Sequence, residues 1–190
     1  MLEDLSAHIL DIAQNSIAAE AGKIEVTIRK SKAGNGFLMF EIIDDGRGMD
    51  DARLSQVISP FCTSRTTRRV GMGLPFLKQN AELCGGKFEM SSTLGKGTRI
   101  FASFALFNID TPPMGDLAAT FLTLLIDAPK VHWVFRYGPE GNFFELDSED
   151  LTEALDGLES LSIPDVAMSL KTMIEDGITQ ADENVTPANT

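Results

Sequence analysis

The stretch Phe37-Leu38-Met39-Phe40-Glu41-Ile42-Ile43-Asp44-Asp45-Gly46-Arg47-Gly48-Met49 organises the reading of this chain. An apolar run of strand type ends on two carboxylates and then on two glycines, where the backbone must turn. An acidic side chain therefore stands at a strand end, beside a backbone that a ligand can approach closely. An ordinary Asp-Gly turn has the same look, so the stretch gains meaning only from what surrounds it.

Upstream, Ile24, Val26 and Ile28 alternate with Glu25, Thr27 and Arg29, and Gly34-Asn35-Gly36 separates this run from the quoted one, which reads as a hairpin. Before it, Leu5, Ile9, Ile12, Ala13 and Ser16 or Ile17 recur at helical spacing, predicting an amphipathic helix from Asp4 to Ala19 that ends at Gly22. Asp11, Asn15, Ala18 and Ala19 cluster on the face away from that stripe, with His8 at its margin. Downstream, a short helix is expected over Asp50 to Ile58, then an aperiodic basic loop from Ser59 to Arg69. A helix over Leu74 to Cys84 closes on Gly85 and Gly86, and strands Lys87 to Ser91 and Thr98 to Leu106 flank a turn at Leu94-Gly95-Lys96-Gly97.

Asn108 to Gly115, with Pro112 and Pro113, marks a break in composition. Beyond it we expect a helix over Asp116 to Asp127, a hairpin of Val131 to Tyr137 and Asn142 to Leu146 across Pro139-Glu140-Gly141, and acidic helices near 149–156 and 164–176. The division expected is residues 1–107, a small α+β extension over 108–176 and a disordered tail over 177–190. Trp133, Phe135 and Tyr137 share one face of their strand, which suits a small core better than an exposed docking surface.

Bulk composition narrows the function. The 190 residues are 43% hydrophobic, enough for one good core. A net charge of -12 opposes the electrostatics of a nucleic-acid binder. Cys62 and Cys84 lack zinc-ligand spacing, the start is acidic, and no stretch reaches the roughly 18 apolar residues of a membrane helix. A cytoplasmic protein with reduced thiols is expected.

Two further glycine motifs complete the pattern. Gly71-Met72-Gly73-Leu74 opens a helix, whose free N–H groups suit an anion. Gly95-Lys96-Gly97-Thr98 alone is a hairpin turn. Taken in order with Asp11-Ile12-Ala13-Gln14-Asn15 and Asp44-x-Gly46-x-Gly48, however, the four resemble the ATP boxes of the GHKL superfamily, which includes gyrase, MutL and histidine-kinase ATPase domains. The resemblance covers about the first 107 residues and implies an α+β, two-layer sandwich of the Bergerat or histidine-kinase-like type, with the C-terminal residues as a small α+β appendage.

The same resemblance implies roles. Asn15 would hold Mg²⁺ through its amide oxygen, a hard ligand suited to that ion beside phosphates. Asp44 would accept from the adenine amino group, with Ala19 also lining the nucleotide site. Gly46 and Gly48 would let the nucleotide approach, and Met49 would supply an apolar wall. Gly71, Met72, Gly73 and Leu74 would hold the phosphates, and Thr98 would place a hydroxyl near the base. Thr63, Ser64 and Arg65 resemble a lid that closes over ATP and brings Arg65 or Arg68 to the triphosphate.

Four residues before the magnesium Asn, MutL-like and chaperone ATPases carry a Glu as general base, and histidine kinases usually carry Asn. Here Asp11 is the candidate catalytic base, one methylene shorter than Glu. The string around Asn15-Ser16-Ile17-Ala18-Ala19 looks MutL-like, although Ala18 replaces the usual Asp, whereas Pro60-Phe61 and Val70 to Leu77 are similar to histidine-kinase and anti-sigma-factor kinase domains. In the 83 residues after 107 a lysine-bearing second domain is not expected, and with the ATP boxes beginning so near Met1 a preceding phosphoacceptor helix pair is not expected either. His8 and His132 read as packing or pocket-rim residues, so a phosphoacceptor is expected on another protein. Two readings follow: a stand-alone kinase-like regulator acting on a partner docked through residues 108–176, or a slow ATPase or nucleotide-dependent binding switch.

Overall fold

A computed structural model describes residues 4–31, 36–58, 73–139, 142–155 and 157–183. Asp4 caps the first helix, α1 (Leu5–Ala18), accepting from the Ala7 N–H, and the stripe Leu5, Ile9, Ile12 and Ala13 is buried as its periodicity requires. Then come β1 (Lys23–Ser31), β2 (Phe37–Asp44), α2 (Asp51–Ile58), α3 (Gly73–Leu83), β3 (Phe88–Thr93) and β4 (Gly97–Ala105). These match the expected order to within a residue or two. The chain continues through α4 (Leu117–Asp127), β5 (His132–Tyr137), β6 (Phe144–Asp147), α5 (Ser148–Leu155), a 3-10 turn over Leu158–Ser162, and α6 (Pro164–Glu183).

All six strands join one mixed sheet in the order β3-β4-β2-β1-β5-β6. Every pairing is antiparallel except β1 with β5, where Ile24, Val26 and Ile28 run level with Trp133, Phe135 and Tyr137. Parallel pairing needs a crossover between the strands, and α4 lies within it, packed on α1. The result is the α+β, two-layer arrangement the motifs imply, with β5 and β6 of the C-terminal segment continuing the sheet of the first 107 residues.

Strand alternation divides the two faces. Ile24, Val26, Ile28, Phe40, Ile42, Ile100, Ala102 and Phe104 face the helices with Leu77, Phe121 and Leu124. The aromatic face of β5 enters the same core: Phe121 stacks on Phe135 at 4.1 Å and Trp133 on Phe135 at 5.5 Å. Burying each such side chain is worth about 1.5–3 kcal/mol, so this aromatic stripe is core, as its spacing predicts. The outer face carries ion pairs, Arg99 with Glu41 at 2.7 Å and Arg136 with Glu25 at 2.8 Å.

One expectation is corrected. Helix α6 does not stop at 176 but runs seven residues into the supposed tail, to Glu183. Gly177 passes so close to the Phe144 ring that no side chain fits there, Ala181 is buried, and Asp182 accepts from Lys30 Nζ at 2.8 Å and Tyr137 Oη at 2.8 Å. Tertiary contacts thus outweigh the glycine's poor helix propensity. The turns at Gly34-Asn35 and Glu140-Gly141 lie outside the described residues, as do residues 184–190. No helix among the described residues is long and apolar enough to cross a membrane.

Candidate functional site

The site forms where the C-terminal half of α1, the end of β2, the start of α3 and the start of β4 converge. Asp44 stands at its centre, 6% exposed, because β2 ends there on the core face. A buried carboxylate must be satisfied. Ser16 Oγ donates to Asp44 Oδ2 at 2.6 Å, while the N–H groups of Gly46 and Thr98 donate to Oδ1 at 3.0 and 3.2 Å. These bonds fix the carboxylate plane and tie α1, the glycine loop and β4 to one side chain.

The glycines are steric necessities at two points. Gly48 has φ +62°, and a Cβ there would run into the Thr93 carbonyl. Gly46 lets α1 approach, since a Cβ would lie 2.9 Å from the Ala19 carbonyl and 3.1 Å from its methyl, which sets Ala19 against the loop. The loop then grips the end of α1: Arg47 N–H donates to the Ala19 carbonyl at 2.9 Å, and Arg47 Nη2 donates to that of Ala18 at 3.1 Å, a cation at a helix C-terminus. Asp45 Oδ1 accepts from the N–H groups of Gly22 and Lys23 at 2.7 and 2.8 Å, pinning the turn into β1.

One and two turns further back on α1 lie Asn15 and Asp11. Asn15 Nδ2 donates to the Asp11 carbonyl at 2.8 Å, turning its amide oxygen to the other side as a neutral hard donor, the type Mg²⁺ prefers. The Asp11 carboxylate lies against Gly73, the first residue of α3, in the space a Cβ at 73 would need. Burial pushes the Asp11 carboxyl above the usual carboxylate range. A carboxyl of raised basicity thus faces a helix N-terminus, a pairing suited to proton transfer next to bound phosphate.

Of the residues expected at the site, Asp11, Asn15, Ala19, Asp44, Gly46, Gly48, Met49, Gly73, Leu74 and Thr98 are described, and the contacts above link most of them. Leu74 packs against the core as part of α3. Thr63, Ser64, Arg65, Gly71 and Met72 lie outside the described residues. Sequence reading missed Ser16, Asp45, Arg47 and Ser92. Ser92 Oγ accepts from the Met49 N–H at 2.8 Å, donates to the Gly97 carbonyl at 3.0 Å and lies 3.0 Å from Thr98 Oγ1, so it knits Met49 to Thr98. Ser16 left a trace: a hydroxyl in an apolar helical stripe needs a buried partner. His8 is buried deeper than a pocket rim, 1% exposed, with Nε2 unpartnered.

An ATPase domain is the class that this fold and arrangement define. Residues 2–108 match the histidine kinase-, DNA gyrase B-, and HSP90-like ATPases, and the chain belongs to that family. It is 30% identical over 109 residues to a protein named as a sensor protein in Shewanella frigidimarina, covering 57% of this chain and 17% of that one. Over 91 residues it is 31% identical to the autoinducer 2 sensor kinase/phosphatase LuxQ of Vibrio vulnificus, covering 44% and 11%. The chain therefore spans less than a fifth of these relatives. Among solved structures, the ATPase domain of Aquifex aeolicus MutL complexed with ADP shares the fold, with TM-score 0.57 and 15% identity over 84% of this chain and 70% of that one.

Proposed function

We propose that this chain binds Mg-ATP between α1, the Asp44 loop and α3, and that it acts as a regulator which passes the γ-phosphate to a partner protein. The observation carrying this reading is the Asp44 carboxylate, buried at a strand end and oriented by three donors from three elements. Asp44 accepts from the adenine amino group, which selects adenine over guanine, and Thr98 sits beside it. Gly73 and Leu74 present the N–H groups of α3 to the phosphates, and Gly71 and Met72, which lie outside the described residues, complete the same sequence motif. By sequence resemblance alone, Thr63, Ser64 and Arg65 are the candidate lid residues. Asn15 would hold Mg²⁺, which when bound neutralises phosphate charge.

Asp11 serves as general base, taking the proton of the attacking hydroxyl. Its place against the start of α3 suits water as readily as a protein hydroxyl, which supports a second reading, a slow ATPase or a nucleotide-dependent binding switch. The partner docks on residues 108–176. Residues 1–107 carry 13 Lys and Arg against 12 Asp and Glu, and residues 108–190 carry 3 against 16, so the docking half steers toward a basic surface.

Incubating purified protein with labelled ATP and Mg²⁺, alone and with a lysate of its source cells, separates the two readings. A labelled partner that is absent with Asp11→Asn supports phosphoryl transfer. Free phosphate without any labelled partner supports hydrolysis.

A further inference from the structure

We propose that His132, Asp147 and Glu149 form a site for one divalent transition-metal ion, with Zn²⁺ as the probe. The site lies outside the nucleotide-binding residues and does not depend on that reading. Its three side chains come from adjoining positions: His132 opens β5, Asp147 ends β6 and Glu149 lies in the first turn of α5. One ligand atom from each falls within 4.8 Å of the others, a spread that small side-chain rotations close around an ion held at about 2.0–2.2 Å. His132 Nε2 is 2.9 and 3.1 Å from the two Asp147 oxygens, and Nδ1 is 3.5 Å from Glu149 Oε1.

The scaffold is rigid. His132 N–H is held by the Gly22 carbonyl at 2.9 Å, and the Glu149 N–H donates to Asp147 Oδ1 at 2.8 Å, which orients that carboxylate with both oxygens toward the imidazole. His132 and Asp147 are about a quarter exposed and Glu149 is 74% exposed, so two ligands are sheltered and the third can swing aside for entry. A divalent ion would neutralise the two carboxylates. Lys23 is the opposing charge, acting on Asp147 from beside it, but its ammonium is paired with Glu25 at 3.0 Å. One imidazole and two carboxylates without thiolate favour Zn²⁺, Co²⁺ or Mn²⁺ over Mg²⁺ and Ca²⁺, which prefer all-oxygen shells. A bound ion would staple the β6–α5 corner to β5.

The test is calorimetric titration of the chelator-stripped full chain with ZnCl₂, repeated with CoCl₂ to read the visible spectrum. The expected result is one Zn²⁺ per chain, about tenfold or greater loss of affinity in His132→Ala and in Glu149→Gln, and a Co²⁺ spectrum without thiolate charge-transfer bands. Glu149 is exposed, so its variant keeps the comparison valid if His132→Ala fails to fold. No uptake by the unaltered chain, unchanged uptake in either variant, or a thiolate band would overturn the site.

Discussion

The Asp11 carboxylate occupies the space that any side chain on Gly73 would need. The last turns of α1 and the first residue of α3 are therefore fitted to each other through a missing Cβ. Gly73→Ala is expected to push Asp11 aside, cutting turnover by more than tenfold and lowering stability by about 1–3 kcal/mol through overpacking. Paired turnover and thermal unfolding measurements check this, and adding Asp11→Gly should restore much of the stability without restoring turnover.

Asp11→Asn separates stability from chemistry. Burial raises the folded carboxyl above its unfolded value, so the native state holds this proton more tightly, and Asp11 favours folding most at low pH. That contribution is lost as pH rises through the raised value, which leaves a charged, half-buried carboxylate as a cost at neutral pH. Asp11→Asn should raise the melting midpoint at neutral pH, keep ATP binding and reduce turnover at least a hundredfold. In the unaltered chain, turnover should fall as pH drops through the same raised value.

Ser16→Ala removes the donor to Asp44 Oδ2 and leaves the two backbone donors on Oδ1. We expect a stability loss of about 1–2 kcal/mol and a comparable loss of ATP affinity. Discrimination against GTP should narrow as the carboxylate loses one of its fixed directions. Calorimetry with both nucleotides reads this directly.

His8 sets an acid limit. Burial lowers its basicity against the opposing pull of Asp4, so the folded protein keeps a neutral imidazole with Nε2 unpartnered. An unfolded His takes up a proton near pH 6.5, so stability is lost as pH falls below that value. Urea midpoints for His8→Leu should change less between about pH 7 and about pH 5 than those of the unaltered chain.

Asp182 should matter more than a tail residue would. It accepts from Tyr137 and Lys30, and this burial and bonding hold the Tyr137 hydroxyl well above its ordinary ionisation range. Asp182→Ala is expected to cost about 1–2 kcal/mol, and truncation after 176 should cost more, because Ala181 and the packing of Gly177 on Phe144 are lost as well. Chemical denaturation measures both.

Much of this architecture is legible in residue periodicity. Leu5, Ile9 and Ile12 announce α1, and the alternation through Ile24, Val26 and Ile28 announces β1. The box residues announce which side chains meet, because glycine patterns record close backbone approach. What periodicity does not carry is pairing between distant segments: nothing in Trp133-Val134-Phe135 states that it runs parallel to Ile24-Glu25-Val26. The end of α6 was hidden for a related reason, since Gly177 favours a stop locally and only Phe144, distant in sequence, makes a glycine useful there. Ser16 escaped because a serine among apolar residues passes as tolerated packing until its partner, 28 residues away, is known.

The most direct test of the central claim is calorimetric titration of the purified chain with Mg-ATP, alongside Asp44→Asn. Saturable one-to-one binding that disappears with Asp44→Asn is the predicted result. Absence of binding by the unaltered chain, or equal binding by the variant, would contradict it.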